Sequence, residues 1–228
     1  MNFFTQQGRA LLLVVVVFLT VGLAGCGKNS GGDGKADTAP PEKTGQVSAS
    51  NNGSTFTDDR DGQKYRTVKI GNQTWMAENL RFNIGDSWCY ENSEDNCKKY
   101  GRLYDWDMAK LACPKGWHLP SKDEWRELVT FVGSETGGKK LKSKSGWKDY
   151  EGKSGNGTDD YGFSALPGGS RDYSDGSFND VGEGGYWWAA TEGGSGSAYN
   201  RDMRYDYDYV FEDGNDAING LSVRCVAD

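Results

Sequence analysis

A leader that ends on a cysteine constrains this chain more than any other feature. Ala10 to Ala24 is an apolar run dominated by Leu and Val, and Arg9 is the only charged residue before Lys28. The run is roughly fifteen residues long, whereas a bilayer span needs about twenty. That is the length of a signal-peptide core rather than of a permanent helix. It closes on Leu23-Ala24-Gly25-Cys26. Small residues ahead of a cysteine let the chain lie extended in a peptidase groove, and the thiol offers a lipid its attachment point. Residues 1–25 are therefore expected to be a signal peptide, with Cys26 the lipidated first residue of the mature chain. Everything after it then folds outside the cytoplasm, where disulfides persist.

The Leu23–Cys26 segment resembles the bacterial lipobox, which implies a cell-envelope protein held to the membrane by a lipid at Cys26. Gly27 stands where an Asp would signal retention in the inner membrane, so the outer membrane is the expected address. Residues 26–55 read as a flexible tether. They are rich in Gly, Ser, Asn, Lys and Asp, with Pro40-Pro41 in the middle, and hold too little apolar surface to offset the entropy of ordering. The remainder, 56–228, is long enough for one domain.

Composition bounds what that head can be. The chain carries a net charge of -7, with 33 Gly, 8 Trp and 12 Tyr. An acidic balance argues against nucleic acid as a partner and against a polybasic grip on lipid. Abundant glycine and aromatics suggest a loop-rich domain around an aromatic core. Beyond Cys26 stand Cys89, Cys97, Cys113 and Cys225. An even set in an exported chain suggests two disulfides, with three connectivities open. No pair has CxxC spacing, so no zinc site is expected. The pairing taken forward is Cys89–Cys97, closing a short polar loop from Glu91 to Asn96, with Cys113–Cys225 joining the middle of the domain to its last strand.

Periodicity supplies the elements. Tyr65–Ile70 alternates and reads as a strand, preceded by the turn signal Asp61-Gly62. The acidic string Asp58–Gly62 fails the calcium-loop pattern, with Thr57 and Val68 at ligand positions, and reads as a hairpin turn. Gln73–Ala77 is a second strand and Leu103–Ala112 a short helix. Ser121 and Glu124 form a capping box, and Trp125, Leu128, Val129 and Val132 recur on one helical face up to Gly133. Later strand candidates are Tyr161–Leu166, Tyr186–Thr191, Tyr205–Phe211 and Leu221–Val226. Two early helices and a later set of strands predict an α+β domain.

From about Asp59 onward the chain resembles the Fibrobacter succinogenes major paralogous domain. The resemblance rests on Ile70–Leu80, Tyr100–Tyr104, Cys113–Ser121, Gly157–Phe163, Leu166–Gly169, Tyr186–Trp188 and Ser222–Val226. A more distant likeness joins Ala109 to Cys113, Gly116, Leu119 and Glu124 with the early part of C-type lectin-like domains. It implies a C-type lectin-like fold of two short helices and a small antiparallel sheet with long loops. A cysteine on the C-terminal strand completes that family's long disulfide, which supports Cys113–Cys225. Gly168-Gly169-Ser170 and Gly220–Cys225 also resemble motifs of formylglycine-generating enzymes, which share the superfamily.

The resemblance divides the function classes. Formylglycine-generating enzymes place a copper-binding cysteine pair before their last motif, whereas Tyr199–Tyr205 holds no cysteine. His118 is the only histidine and sits in a Pro-flanked turn suited to structure. There is no P-loop or dinucleotide fingerprint, and the lectin calcium motifs Glu-Pro-Asn and Trp-Asn-Asp do not occur. No catalysis, cofactor or metal is expected. Lectin-like domains bind through their loop-rich second half, which here is crowded with Tyr, Trp, Asp and Asn, a mix suited to glycan or protein contacts. Trp75, Trp106, Trp117 and Trp125 are expected in the core. Trp187 and Trp188 are neighbours on a strand, so one should point outward. Strict alternation from Arg204 to Phe211 predicts a strand that buries Tyr205, Tyr207, Tyr209 and Phe211. The expected ligand patch is then Arg204, Asp206 and Asp208, with Tyr199, Asn200, Asp202 and one of the two tryptophans. The expected partners are the membrane, through Cys26, and an extracellular glycan or surface protein.

Overall fold

A computed structural model describes residues 54–228; the expected signal peptide, Cys26 and nearly all of the expected tether lie outside the described residues. Alternation builds the first hairpin. β1 (Ser54–Thr57) pairs antiparallel with β2 (Lys64–Ile70), so the first strand starts inside the stretch assigned to the tether. The acidic string is its turn, with Asp58 N donating to Gln63 O at 2.8 Å. The Asp58 carboxylate is buried and held by Arg60, whose Nη2 donates at 2.7 Å. β2 buries Tyr65, Thr67 and Ile70 and exposes Lys64, Arg66 and Lys69. Gly71, at φ 60, then lets the chain reverse in two residues into β3 (Gln73–Met76).

The middle of the chain carries the helices. β4 (Ser87–Trp88) leads through a 3-10 turn at Tyr90–Asn92 to α1 (Glu94–Tyr100). β5 (Leu103–Tyr104) precedes α2 (Trp106–Ala112). The expected Leu103–Ala112 helix thus begins only at Trp106, because Asp105 caps it by accepting from Met108 N at 2.7 Å. After β6 (Trp117–His118), α3 (Lys122–Val132) shows the full Ser121/Glu124 capping box, buries Trp125, Leu128 and Val132, and stops at Gly133. A short α4 (Gly137–Leu141) follows. Among the described residues four helices stand where the sequence predicted two. α1 and α4 were missed because neither has an apolar periodicity of its own.

The second half is strands: β7 (Asp149–Tyr150), β8 (Lys153–Ser154), β9 (Gly168–Arg171), β10 (Phe178–Val181), β11 (Gly184–Gly194), β12 (Ser197–Arg204), β13 (Phe211–Asp216), β14 (Leu221–Ser222) and β15 (Val226–Ala227). One large sheet has the order β1-β2-β3-β15-β6, the other β10-β9-β11-β14-β5-β4, with β12 and β13 added beside β11, and β7 and β8 pair with each other alone. Pairing is mostly antiparallel; β11 runs parallel to β9 and β14. The domain is α+β. Three strand expectations need correction, the one at Tyr205–Phe211 being taken up with the candidate site. Tyr161–Leu166 is a turn, with Ala165 alone bridging to Lys142. Leu221–Val226 splits into β14 in one sheet and β15 in the other, so the last residues tie the two sheets together.

β11 lies at the centre, covered on both faces. Trp187 packs with Trp75, Trp125, Leu128 and Phe163 beneath α3, while Trp188 packs with Tyr104, Ala109, Ala112 and Leu221 beneath α2. Both tryptophans are fully buried. Neighbours on a strand do face opposite ways, but here each face has its own core, so neither ring reaches solvent. The indole nitrogens are paired, Trp187 Nε1 with Asn79 Oδ1 at 2.8 Å and Trp188 Nε1 with Tyr104 O at 2.7 Å. Both disulfides form as paired above, with Cα separations of 4.9 Å for Cys89–Cys97 and 5.9 Å for Cys113–Cys225. The second fastens the end of α2 to the strand before the C-terminus. His118 bonds through both ring nitrogens, to Glu124 and to Asp228, each at 2.7 Å. It clamps the C-terminus to the start of α3.

Candidate functional site

The segment after β12 departs most from the sequence reading. Tyr205–Val210 is not a strand but an irregular surface loop between β12 and β13. Its backbone is held from beneath instead of by a neighbouring strand. Lys142 Nζ donates to Arg204 O at 3.0 Å and Tyr207 O at 2.9 Å, and Lys139 N donates to Asp208 O at 2.9 Å. A Cβ on Gly138 would lie 2.5 Å from Tyr209 O, so only glycine permits this approach of α4 to the loop. Released from a ladder, the alternation no longer sorts the side chains. Val210 turns inward against the core, while Tyr207 is 42 % and Tyr209 38 % exposed.

These tyrosines form one wall of an open groove of about 410 Å³. The other wall is the β7–β8 hairpin, which contributes Tyr150, Glu151 and Lys153, and Lys139 closes one side. Tyr150 meets Tyr205 edge-on at 5.7 Å, and Tyr209 leans on Phe211 at 4.4 Å. Asp206 and Asp208 line the same groove, with Asp208 3.9 Å from Lys139 Nζ. A smaller recess of about 310 Å³ adjoins it through Tyr205 and Asp206 and is bounded by Arg204, Tyr186, Asp180 and Glu183. The Tyr186 hydroxyl donates to Asp180 at 2.8 Å, and burial with that neighbouring carboxylate pushes its pKa well up. Burial also lowers Lys142 beneath the loop, to about 8. Rigid aromatic faces beside carboxylates and ammonium groups can stack on apolar ring faces and bond to hydroxyls.

Of the expected ligand residues, Arg204, Asp206 and Asp208 border these recesses. The others do not join them. Trp187 and Trp188 are core, as above. Asn200 and Asp202 are buried on β12, and Asp202 Oδ2 accepts from Arg204 Nε at 2.8 Å. Burial raises the Asp202 pKa despite that bond. Tyr199 lies on the opposite face of β12 from Asn200 and Asp202, with Lys122 Nζ 3.4 Å from its ring centre. Sequence reasoning missed Tyr150, Glu151 and Lys153, and assigned Tyr205, Tyr207 and Tyr209 to the core. The available signal was the choice of tyrosine: a buried row of phenols would need a partner for every hydroxyl.

The family model of the Fibrobacter succinogenes major domain matches residues 68–227. The chain belongs to that family. Searches of curated proteins and of solved structures gave no match.

Proposed function

We propose that this chain is an envelope lipoprotein, anchored through Cys26, whose head binds an extracellular glycan in the tyrosine groove without catalysing a reaction. The observation that carries the binding reading is the partly exposed tyrosine set, Tyr150, Tyr207 and Tyr209, standing over a groove that also holds Asp206 and Asp208. Exposed phenol faces have a use if an apolar ring face covers them, and the carboxylates suit sugar hydroxyls. A C-type lectin-like architecture is supported by the long Cys113–Cys225 link and by the loop-rich second half. The anchor reading is supported by the apolar leader ending at Cys26. No helix among the described residues is long and apolar enough to cross a membrane. The formylglycine-generating alternative is disfavoured because Cys89, Cys97, Cys113 and Cys225 are all spent on disulfides.

The test is a glycan array probed with the mature protein and with the Tyr207→Ala, Tyr209→Ala double variant. Selective sugar hits are expected, weakened at least tenfold in the variant, about 1.4 kcal/mol. The melting temperature should barely move, because both rings are largely outside the core. A silent array, with recovery of a surface protein in pull-downs, would replace the glycan by a protein partner and make the chain a structural or adhesive surface scaffold. Sugar binding that survives the double change would move the site away from this groove.

A further inference from the structure

The two disulfides sit in different electrostatic surroundings. Arg102 is 8 % exposed and spans the Cys89–Cys97 bridge. Its Nε donates to Ser87 Oγ at 3.1 Å and its Nη2 to Ser87 O at 2.8 Å. Its Nη1 points at both sulfurs, 3.4 Å from Cys89 Sγ and 3.6 Å from Cys97 Sγ. Among the described residues Arg102 has no carboxylate partner. A disulfide sulfur is a neutral, weak acceptor, so this buried cation has no anion in direct contact with it, an arrangement that is costly in a protein interior. Opening the bridge would supply the missing anion, because a thiolate would form where the guanidinium already points. A nearby arginine lowers a thiol pKa, and a stabilised reduced form makes a disulfide easier to reduce.

Three further observations give the bridge a direction. A cavity of about 350 Å³ opens on Cys97, Glu94 and Arg102, with Asp61, Arg81 and Lys98 also on its walls. Cys97 lines this cavity and Cys89 does not, so an attacking nucleophile reaches Cys97 first. Glu94 Oε1 lies 3.5 Å from Cys89 Sγ, where it would accept a proton-bearing thiol and oppose a second thiolate. The bridge also closes only 8 residues, against 112 for Cys113–Cys225, so the fold loses less stability when it opens. Cys225 is fully buried in the core, and no arginine bonds to its sulfur among the described residues.

We propose that Cys89–Cys97 is an exchangeable disulfide, reduced through Cys97 by an exported dithiol, with Arg102 holding the resulting thiolate. A thiolate of the donor attacks Cys97 Sγ, the Cys89–Cys97 bond breaks, and Cys89 leaves beside Arg102 and takes up a proton. The donor's second thiol, deprotonated, attacks the donor sulfur of the mixed disulfide and releases Cys97 as thiolate. Two electrons pass from the dithiol, which ends as a disulfide, and the protein ends with one thiol and one thiolate.

The experiment equilibrates the mature protein in dithiothreitol redox buffers, labels free thiols with an alkylating mass tag, and maps the peptides. Cys89–Cys97 should open in buffers that leave Cys113–Cys225 closed. Arg102→Gln should shift the equilibrium at least tenfold toward the disulfide, about 30 mV, while Arg102→Lys restores most of the shift. Simultaneous opening of both bridges, or an unchanged equilibrium in Arg102→Gln, would overturn the proposal. If Arg102→Gln does not fold, the wild-type protein decides. Its reduced Cys97 should be half-reactive toward iodoacetamide at least one pH unit below the roughly 8.5 of a free thiol. Half-reactivity at or above that value would overturn it equally.

Discussion

Replacing Lys142 should change how stability depends on pH. The side chain is 1 % exposed and reaches under the groove loop to Arg204 O and Tyr207 O. Burial lowers its pKa from 10.5 to about 8, against the pull of Asp208. Between those two values the unfolded chain holds more protons than the folded one, so stability rises with pH across that window. Relative to a lysine with its ordinary pKa, the buried side chain costs about 3 kcal/mol at pH 7, where it is held charged, and about 1 kcal/mol at pH 9.5, where it has given up its proton, a gain of about 2 kcal/mol on going between them. Lys142→Met removes that gain. At pH 7 the variant also escapes the charging cost, but leaves two carbonyls without their donor, at about 1–3 kcal/mol each when water does not replace it. The two effects oppose, so the absolute change at pH 7 is small and the slope is the diagnostic. Urea unfolding followed by tryptophan fluorescence from pH 7 to 9.5 measures it. Wild type should gain about 2 kcal/mol on the variant across the range. A difference constant to within about 0.5 kcal/mol would show that Lys142 does not titrate there, and the reasoning from burial would fail.

Other perturbations follow from particular contacts. Cys113→Ala should cost about 2 kcal/mol more than Cys89→Ala in the chain-entropy picture, because their bridges span 112 and 8 residues; equal losses in urea melts would contradict it. Burial opposes charge on His118, but hydrogen bonds and charges from Asp228 and Glu124 outweigh it and raise the pKa above 6.5. That stabilisation is complete below the unfolded value and fades as pH climbs through the raised one. His118→Asn should therefore destabilise more at pH 5.5 than at pH 8.5 in thermal melts, and a reversed order would refute the clamp. Cys26→Ser should abolish acyl labelling in the producing bacterium; labelling that persists would remove the anchor from the proposed function.

Much of the fold was legible because local rules and tertiary packing agree there. The β2 alternation and the Ser121/Glu124 box sit where burial on one side and capping at one end decide everything. The cysteine pairing also held. Failures came where local pattern carries no information about neighbours. α1 is Glu94-Asp95-Asn96-Cys97-Lys98-Lys99-Tyr100, polar enough to read as loop, and buries only Cys97 and Tyr100. Its helix depends on the anchored cysteine rather than on an apolar stripe. Leu221–Val226 has strand composition throughout, yet the chain crosses between sheets at Val223 to Cys225. Periodicity reports a face, not which sheet receives it.

The proposed binding surface shows the same ambiguity from the other side. Alternation in Tyr205-Asp206-Tyr207-Asp208-Tyr209 would sort side chains into two faces only if a strand ran beside it, since period 2 belongs to the extended ladder. β12 stops at Arg204 and β13 starts at Phe211, and a buried ammonium and the amide of Lys139 take the carbonyls between. The tyrosines and aspartates therefore gather around one groove instead of dividing between core and solvent. Trp187-Trp188 makes the converse case. A sequence shows which residues oppose each other across a strand, but only packing by α2 and α3 determines that both faces are interior. Position in the fold thus turns Trp187 and Trp188 into framework and Tyr207 and Tyr209 into surface. The hydroxyl carries the physical distinction: a phenol at the rim keeps its polar end in water while its ring remains available for contact, which is the property a groove for hydroxylated ligands requires.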